Sequence, residues 1–320
     1  MKKEGCGIHG IAINHLKGSV MWHDPITRYT LGVSAMFSFY WLCKRFVVSP
    51  LLAKRRLPKE SEQMLSTALL YLPGLGLLLL FINDLPVFQV SPQGFVTADY
   101  AVVFAAQFFA FMLMALFTAL EIKLGLVMPQ ALQKQKEGKN ALNVLLLLML
   151  VPLMEELLSR KLLGDLLGTG QVRLFLCTSA LVFSLLHLQT GRLAVAVGML
   201  YAGFLWAWVY ASSGSLLLST VYHALFNLLM VFIPEHLERK KSDKAHRMYI
   251  AGLMLVGTIG FILLASNLAH YLPSGMPDAQ SPWQRILGNG GFWVLAAVCA
   301  LRYFCGLKML KAKGTLSEKI

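Results

Sequence analysis

The sequence predicts an all-α protein: a polytopic transmembrane helical bundle of eight or nine spans with a central polar cavity. Three observations carry that prediction. Of 320 residues, 57% are hydrophobic and only 14% charged, where an ordinary soluble domain has about 25% charged residues. The apolar residues fall in runs close to the ~20 that a spanning helix needs. Strand-like alternation between turns is absent, which argues against a membrane β-barrel.

Taken in order, the runs lie at about 29–48, 65–82, 100–120, 141–164, 173–190, 193–211, 215–233, 249–269 and 291–307. Lys44 and Arg45 interrupt the first. It therefore reads either as a span with snorkelling ends or as an interfacial helix, which leaves the count at eight or nine. Gly74 and Gly76 in the second run read as helix packing, because no strand or P-loop lysine attends them. Pro152 in the fourth run predicts a long, kinked helix beside a water-filled cavity near mid-membrane. The chain divides into an N-terminal polar segment (1–28), N-terminal transmembrane helices (29–140), a polar-bearing transmembrane core (141–233), and C-terminal helices with a basic tail (234–320). No tandem repeat or long linker separates them, so they read as one membrane domain.

The net charge of +13 comes from 29 Lys+Arg against 16 Asp+Glu. It collects in alternate connections: Lys44 to Lys59, Lys123 to Lys139, Arg239 to Arg247, and the tail with Lys308, Lys311, Lys313 and Lys319. The intervening connections are nearly free of Lys and Arg. By the positive-inside rule the C-terminus is cytoplasmic, and the protein is multi-pass, in the cell (inner) membrane if the source is prokaryotic. Trp283, Trp293, Tyr100 and Tyr271 fall near expected outer ends, as aromatic belts do. No nucleic-acid motif accompanies the charge, so the expected partners are the lipid bilayer and a membrane-associated peptide or protein, not nucleic acid. No cleavable signal peptide is expected. Cys6, Cys43, Cys177, Cys299 and Cys305 are scattered, without a CxxC pair, and suggest neither a disulfide framework nor a zinc ribbon. His9, His15 and His23 match no metal spacing and read as part of a solvated N-terminal segment. The basic 234–247 stretch reads as a topology signal in preference to a lipid site.

Against this background a few ionisable residues stand out, because a charge at membrane depth costs about 2.5–3.5 kcal/mol on insertion scales. The fourth run carries Glu155, Glu156 and Arg160. Glu156 and Arg160 are i and i+4 on a helix, in the favourable order for an ion pair. Glu155 lies about 100° round the helix, free to face a cavity as a base of the kind hydrolysis needs. The fifth run ends with Phe183 and His187, one turn apart. The seventh holds His223 and Asn227, also one turn apart. Taken singly, each has a plain structural explanation as an ion pair, an interfacial hydrogen bond or an interhelical contact. Together, on three helices of one chain, they supply a base, a second base or ligand, and donors for an oxyanion.

At these residues the chain resembles the CPBP family, the CAAX proteases and bacteriocin-processing proteins also called the Abi family. That family is marked by EExxxR, FxxxH and HxxxN/D motifs on separate helices. Here they stand as Glu155-Glu156-x-x-x-Arg160, Phe183-x-x-x-His187 and His223-x-x-x-Asn227, complete and in order. The resemblance covers about 141–233. Ser159 and Lys161 beside Arg160 depart from the aromatic residue and glycine of many members, which alters local packing and not the chemistry.

The resemblance implies a glutamate-dependent intramembrane endopeptidase, a glutamic protease. Glu155 would activate water, helped by His187. His223 and Asn227 would stabilise the oxyanion, and Glu156 and Arg160 would position the site. Two chemistries stay open: a metal-free one, towards which the residues lean, and one in which Glu155, His187 and His223 ligate zinc with water in fourth place. The HExxH spacing of common zinc proteases is absent. Implied substrates are CAAX-type, bacteriocin-leader-type or sorting-tail peptides. The competing classes are a non-enzymatic membrane immunity or scaffold protein and a transporter using buried Glu and His.

Overall fold

The computed structural model describes residues 24–55, 59–87, 97–127, 144, 146–167, 171–189, 191–239, 243–267 and 281–317. Among them there are helices and no strands. Cys6, His9, His15, His23, Tyr271 and the basic residues Lys134, Lys136, Lys139, Lys240 and Lys241 lie outside the described residues.

The chain divides into two compact units, residues 1–86 with 284–296, and residues 87–283 with 297–320. In the first, α1 (Pro25–Cys43) runs on through a π-helical turn, Lys44–Val48, into Ser49–Arg55. Its start is set by Asp24, whose carboxylate accepts from Thr27 N at 2.8 Å, with proline at the first helical position. Helices α2 (Lys59–Tyr71) and α3 (Pro73–Ile82) follow. Gly74 leaves room on α3 for the Met36 side chain of α1, as a packing glycine does.

The second unit holds α4 (Thr97–Ala106), α5 (Phe109–Lys123), a composite α6, α7 (Val172–Leu188), α8 (Leu193–Ser213), α9 (Leu216–Asn227) and α10 (Asp243–Ser266). Helix α9 continues through a π turn, Leu228–Phe232, into Ile233–Arg239. The short α11 (Pro282–Leu287) and the long α12 (Gly290–Ser317) are each crossed by the boundary between units. Tight turns join α7 to α8 and α8 to α9. Gly191 (φ 78°) and Gly214 (φ 64°) take left-handed backbone there, which a side chain would strain. Ser215 then caps α9 by accepting from Leu218 N at 3.1 Å.

The fourth expected span is one winding of mixed character, not one continuous α-helix. A π turn, Leu146–Leu150, precedes the α segment Val151–Glu156; a second, Leu157–Leu162, follows and leads into Leu163–Leu167. These four pieces make α6. Pro152 has no amide hydrogen to reach four residues back, and its ring crowds that carbonyl. A widened turn just ahead of it accommodates both effects.

Among the described residues, five helical stretches are long and apolar enough to cross a membrane: 25–51, 64–82, 98–123, 193–213 and 244–266. Three shorter apolar helices, 172–188, 216–232 and 290–305, join them. Eight of the nine expected spans lie on these helices, and the ninth, 141–164, falls on α6. Large apolar side chains point outward, among them Leu72, Leu80, Leu217 and Leu301, each more than 60% exposed. Arg160, Glu156, Glu121 and Gln107 are meanwhile buried. Polar inside and apolar outside is the arrangement of an integral membrane protein.

Candidate active site

The site is assembled on α6, α7, α8 and α9, all in the second unit. Glu155 and Glu156 close the α segment of α6, and Arg160 lies in the π turn that follows. Such turns recur at functional sites, where they re-aim side chains.

Glu156 is completely buried, and two partners hold it. Arg160 Nε stands 3.2 Å from Oε2, and His223 Nδ1 lies 3.0 Å from Oε1. Arg160 is also completely buried. Its Nη2 donates to Gly203 O at 3.2 Å, and its guanidinium lies over the Phe183 ring at 4.5 Å and the Trp206 ring at 5.8 Å. An arginine stacked on aromatic faces is attracted by the ring quadrupole while its charge is matched by the carboxylate.

His223 is the centre of the constellation. Trp206 stacks on one face, ring centroids 4.1 Å apart and planes inclined by 19°. Phe183 meets it edge-on at 5.7 Å. With Nδ1 on Glu156, these contacts fix the plane and direction of the imidazole, so Nε2 is directed towards Glu155, whose Oε2 is 3.6 Å away. That is beyond direct hydrogen-bond length and within ion-pair range. The two carboxylates differ sharply in environment: the Glu155 side chain keeps 25% of its surface exposed and the Glu156 side chain none.

His187 is half-buried at the end of α7. Its Nδ1 is 2.9 Å from Phe183 O, and its ring leans on Phe183 at 4.4 Å. Asn227 lies one turn beyond His223 on α9 and is half-buried.

The zinc alternative required Glu155, His187 and His223 to converge. Among the described residues, no group of three or more His, Cys, Asp or Glu side chains is placed to hold a metal ion. In both histidines Nδ1 is engaged, by Glu156 in one and by the Phe183 carbonyl in the other, an arrangement that metal-ligating histidines also show.

Sequence reasoning missed the aromatic housing. Trp206 and Gly203 sit in an apolar stretch of α8 that carries no motif. Ser179 Oγ, which donates to Ser159 O at 2.8 Å and ties α7 to the second π turn, gave no signal either. A tryptophan among small residues was the available hint, since an indole N–H must find an acceptor when buried.

Residues 137–229 match the family described as Type II CAAX prenyl endopeptidase Rce1-like. No curated protein and no solved structure matches the chain at a significant level. The matched stretch contains Glu155, Glu156, Arg160, His187, His223 and Asn227, and over those residues the chain is similar to that family, consistent with the CPBP, or CAAX protease, group.

Proposed function

We propose that this protein is a glutamate-dependent intramembrane endopeptidase that hydrolyses a peptide bond of a membrane-associated protein or peptide. The observation that carries the proposal is the bracketing of His223 between two unlike carboxylates: buried Glu156 on Nδ1 and partly exposed Glu155 facing Nε2.

Arg160 Nε brings a positive charge to 3.2 Å from Glu156 Oε2, and a carboxylate at Nδ1 favours a hydrogen on that nitrogen. Nε2 is then the basic end of the ring. Glu155 takes a proton from water as the water oxygen bonds to the scissile carbonyl carbon. His223 and Asn227 stabilise the oxygen that becomes negative, His223 as the imidazolium formed when the proton taken up by Glu155 moves to Nε2. The carbon–nitrogen bond breaks as the proton is passed to the leaving amine. His187 orients the water. Glu156 and Arg160 act through His223 and touch no substrate.

The family match supports a CAAX-type substrate, and bacteriocin-leader and sorting-tail peptides belong to the same test. The basic connections support a cytoplasmic C-terminus, and the apolar helices support eight or nine spans around a polar interior.

The test compares wild type, Glu155→Ala and His223→Ala in liposomes on prenylated CAAX peptides, leader peptides and sorting-tail peptides. Wild type is expected to cut one class, and each variant to lose at least about 10²-fold in rate. Cleavage that survives both substitutions overturns the assignment. Accumulation of labelled solute without any cleavage favours a transporter.

A further inference from the structure

The third expected span is broken at its centre. Helix α4 ends at Ala106, α5 begins at Phe109, and Gln107 and Phe108 form a turn between them. Phe108 N donates to Ala105 O at 3.2 Å and Ala110 N to Gln107 O at 3.2 Å, the three-residue reach of a tightened helical turn. Two glycines of α10 fit against the break. Gly260 lies on the backbone of Ala105 and Ala106, and Gly257 on that of Phe108 and Phe109, so closely that a Cβ on either would collide with main chain. On α9, the Phe226 ring stacks with Phe108 at 6.4 Å.

This break delivers one polar side chain to the interior. Gln107 is completely buried, and its Oε1 accepts the Trp206 indole hydrogen at 2.9 Å. Trp206 is completely buried too, and an indole is a donor only. The ring so anchored is the one that lies flat on His223.

We propose that Gln107 is a positioning residue of the site: by accepting the indole hydrogen of Trp206 it sets the plane against which His223 is held. The proposal rests on the catalytic reading of His223 and extends the machinery to a residue outside the matched stretch 137–229. Stability alone does not account for glutamine here. Among the described residues its Nε2 has no hydrogen-bond partner. An apolar residue would remove that stranded donor and strand the indole hydrogen in its place, so one unpaired donor is exchanged for another. What the glutamine adds is a fixed direction for the ring.

The test uses the full-length protein in nanodiscs, as wild type, Gln107→Leu, Trp206→Phe and the double variant. With 15N-labelled tryptophan, the Trp206 indole cross-peak is the one that Trp206→Phe removes. Gln107→Leu is expected to move that cross-peak and the His223 imidazole resonances while the other indoles and the thermal midpoint stay. On whichever peptide the wild type cuts, Gln107→Leu is expected to lower kcat at least about tenfold with KM within about threefold. The double variant should be no worse than Trp206→Phe. An unmoved Trp206 cross-peak, or losses that multiply in the double variant, overturns the proposal. The resonance readout needs no turnover. A moved cross-peak in a protein that cuts nothing upholds the positioning and removes the hydrolytic reading; an unmoved one in an active protease does the reverse.

Discussion

Arg160 and Glu156 form an ion pair in which neither side chain retains any exposed surface, Nε to Oε2 3.2 Å. Removing one partner of such a pair leaves an uncompensated buried charge and costs about 3–5 kcal/mol, whereas removing both can be close to neutral. Arg160→Met alone is therefore expected to lower the unfolding midpoint in detergent sharply. The double variant Arg160→Met/Glu156→Leu should regain much of that loss and remain inactive, because His223 no longer has an anion at Nδ1. Thermal unfolding paired with a cleavage assay separates the two effects. A double variant as unstable as the single one would contradict the account.

The unequal exposure of the two glutamates makes a second prediction. Glu155→Gln changes a side chain that keeps 25% of its surface exposed. Its effect on stability should stay within about 0.5 kcal/mol, while kcat falls about 10²–10⁴-fold through loss of the base. Glu156→Gln should lower both stability and rate. Glu155→Asp keeps the charge and withdraws it by one methylene; a displacement of that order costs about 10²-fold in rate. Equal stability losses for Glu155→Gln and Glu156→Gln would place the two carboxylates in equivalent surroundings and refute the assignment.

Much of this site was legible in the sequence, for a physical reason. In a chain so apolar, Glu155, Glu156, Arg160, His187, His223 and Asn227 are conspicuous, and one-turn spacings tie them to helix faces. The helices themselves were legible because each apolar run must satisfy its own backbone hydrogen bonds. What could not be read was anything that depends on contact between helices. The pairing of His223 with Glu156 joins residues 67 apart in sequence. The Trp206–Gln107 bond joins residues 99 apart. Neither has a spacing to detect. The π turns flanking Glu155 and Glu156 were hidden as well, since Pro152 signals a disturbed helix without specifying how the chain absorbs it.

Gly203 is a third point of test. Its carbonyl accepts from Arg160 Nη2, and a Cβ placed there would stand 3.1 Å from Phe183 Cδ1 and 3.4 Å from Phe183 Cβ. Phe183 in turn contacts Arg160, His187 and His223. Gly203→Ala asks the ring to give by a few tenths of an ångström and should reduce kcat modestly. Gly203→Val overpacks the same spot, at about 1–3 kcal/mol, and is expected to abolish cleavage. Retention of full activity by Gly203→Val would mean that Phe183 does not hold the imidazoles in place.

Glu121 sits outside the site and supports the helix that carries Trp206 and Gly203. It is 1% exposed. One oxygen accepts from Leu193 N at 2.5 Å and Ala194 N at 3.3 Å, and the other from Arg192 Nε at 3.0 Å. Arg192 also donates to Thr118 Oγ1 at 2.9 Å. The residue ahead of α8 is thus an arginine, which has no acceptor to offer the first amides of the helix. A carboxylate from the end of α5 performs the capping instead and adds a favourable charge at the helix N-terminus. Glu121→Gln keeps an acceptor and loses the charge, at an expected cost of about 1.5–3 kcal/mol. Glu121→Ala also leaves Arg192 without its carboxylate partner and is expected to cost about 3–5 kcal/mol, towards the lower figure because Arg192 is partly exposed. Neither variant removes a group from the site, so cleavage measured well below the lowered unfolding midpoint should stay within a few-fold of wild type. Loss of activity at temperatures where circular dichroism shows the helices intact would instead make Glu121 part of the chemistry.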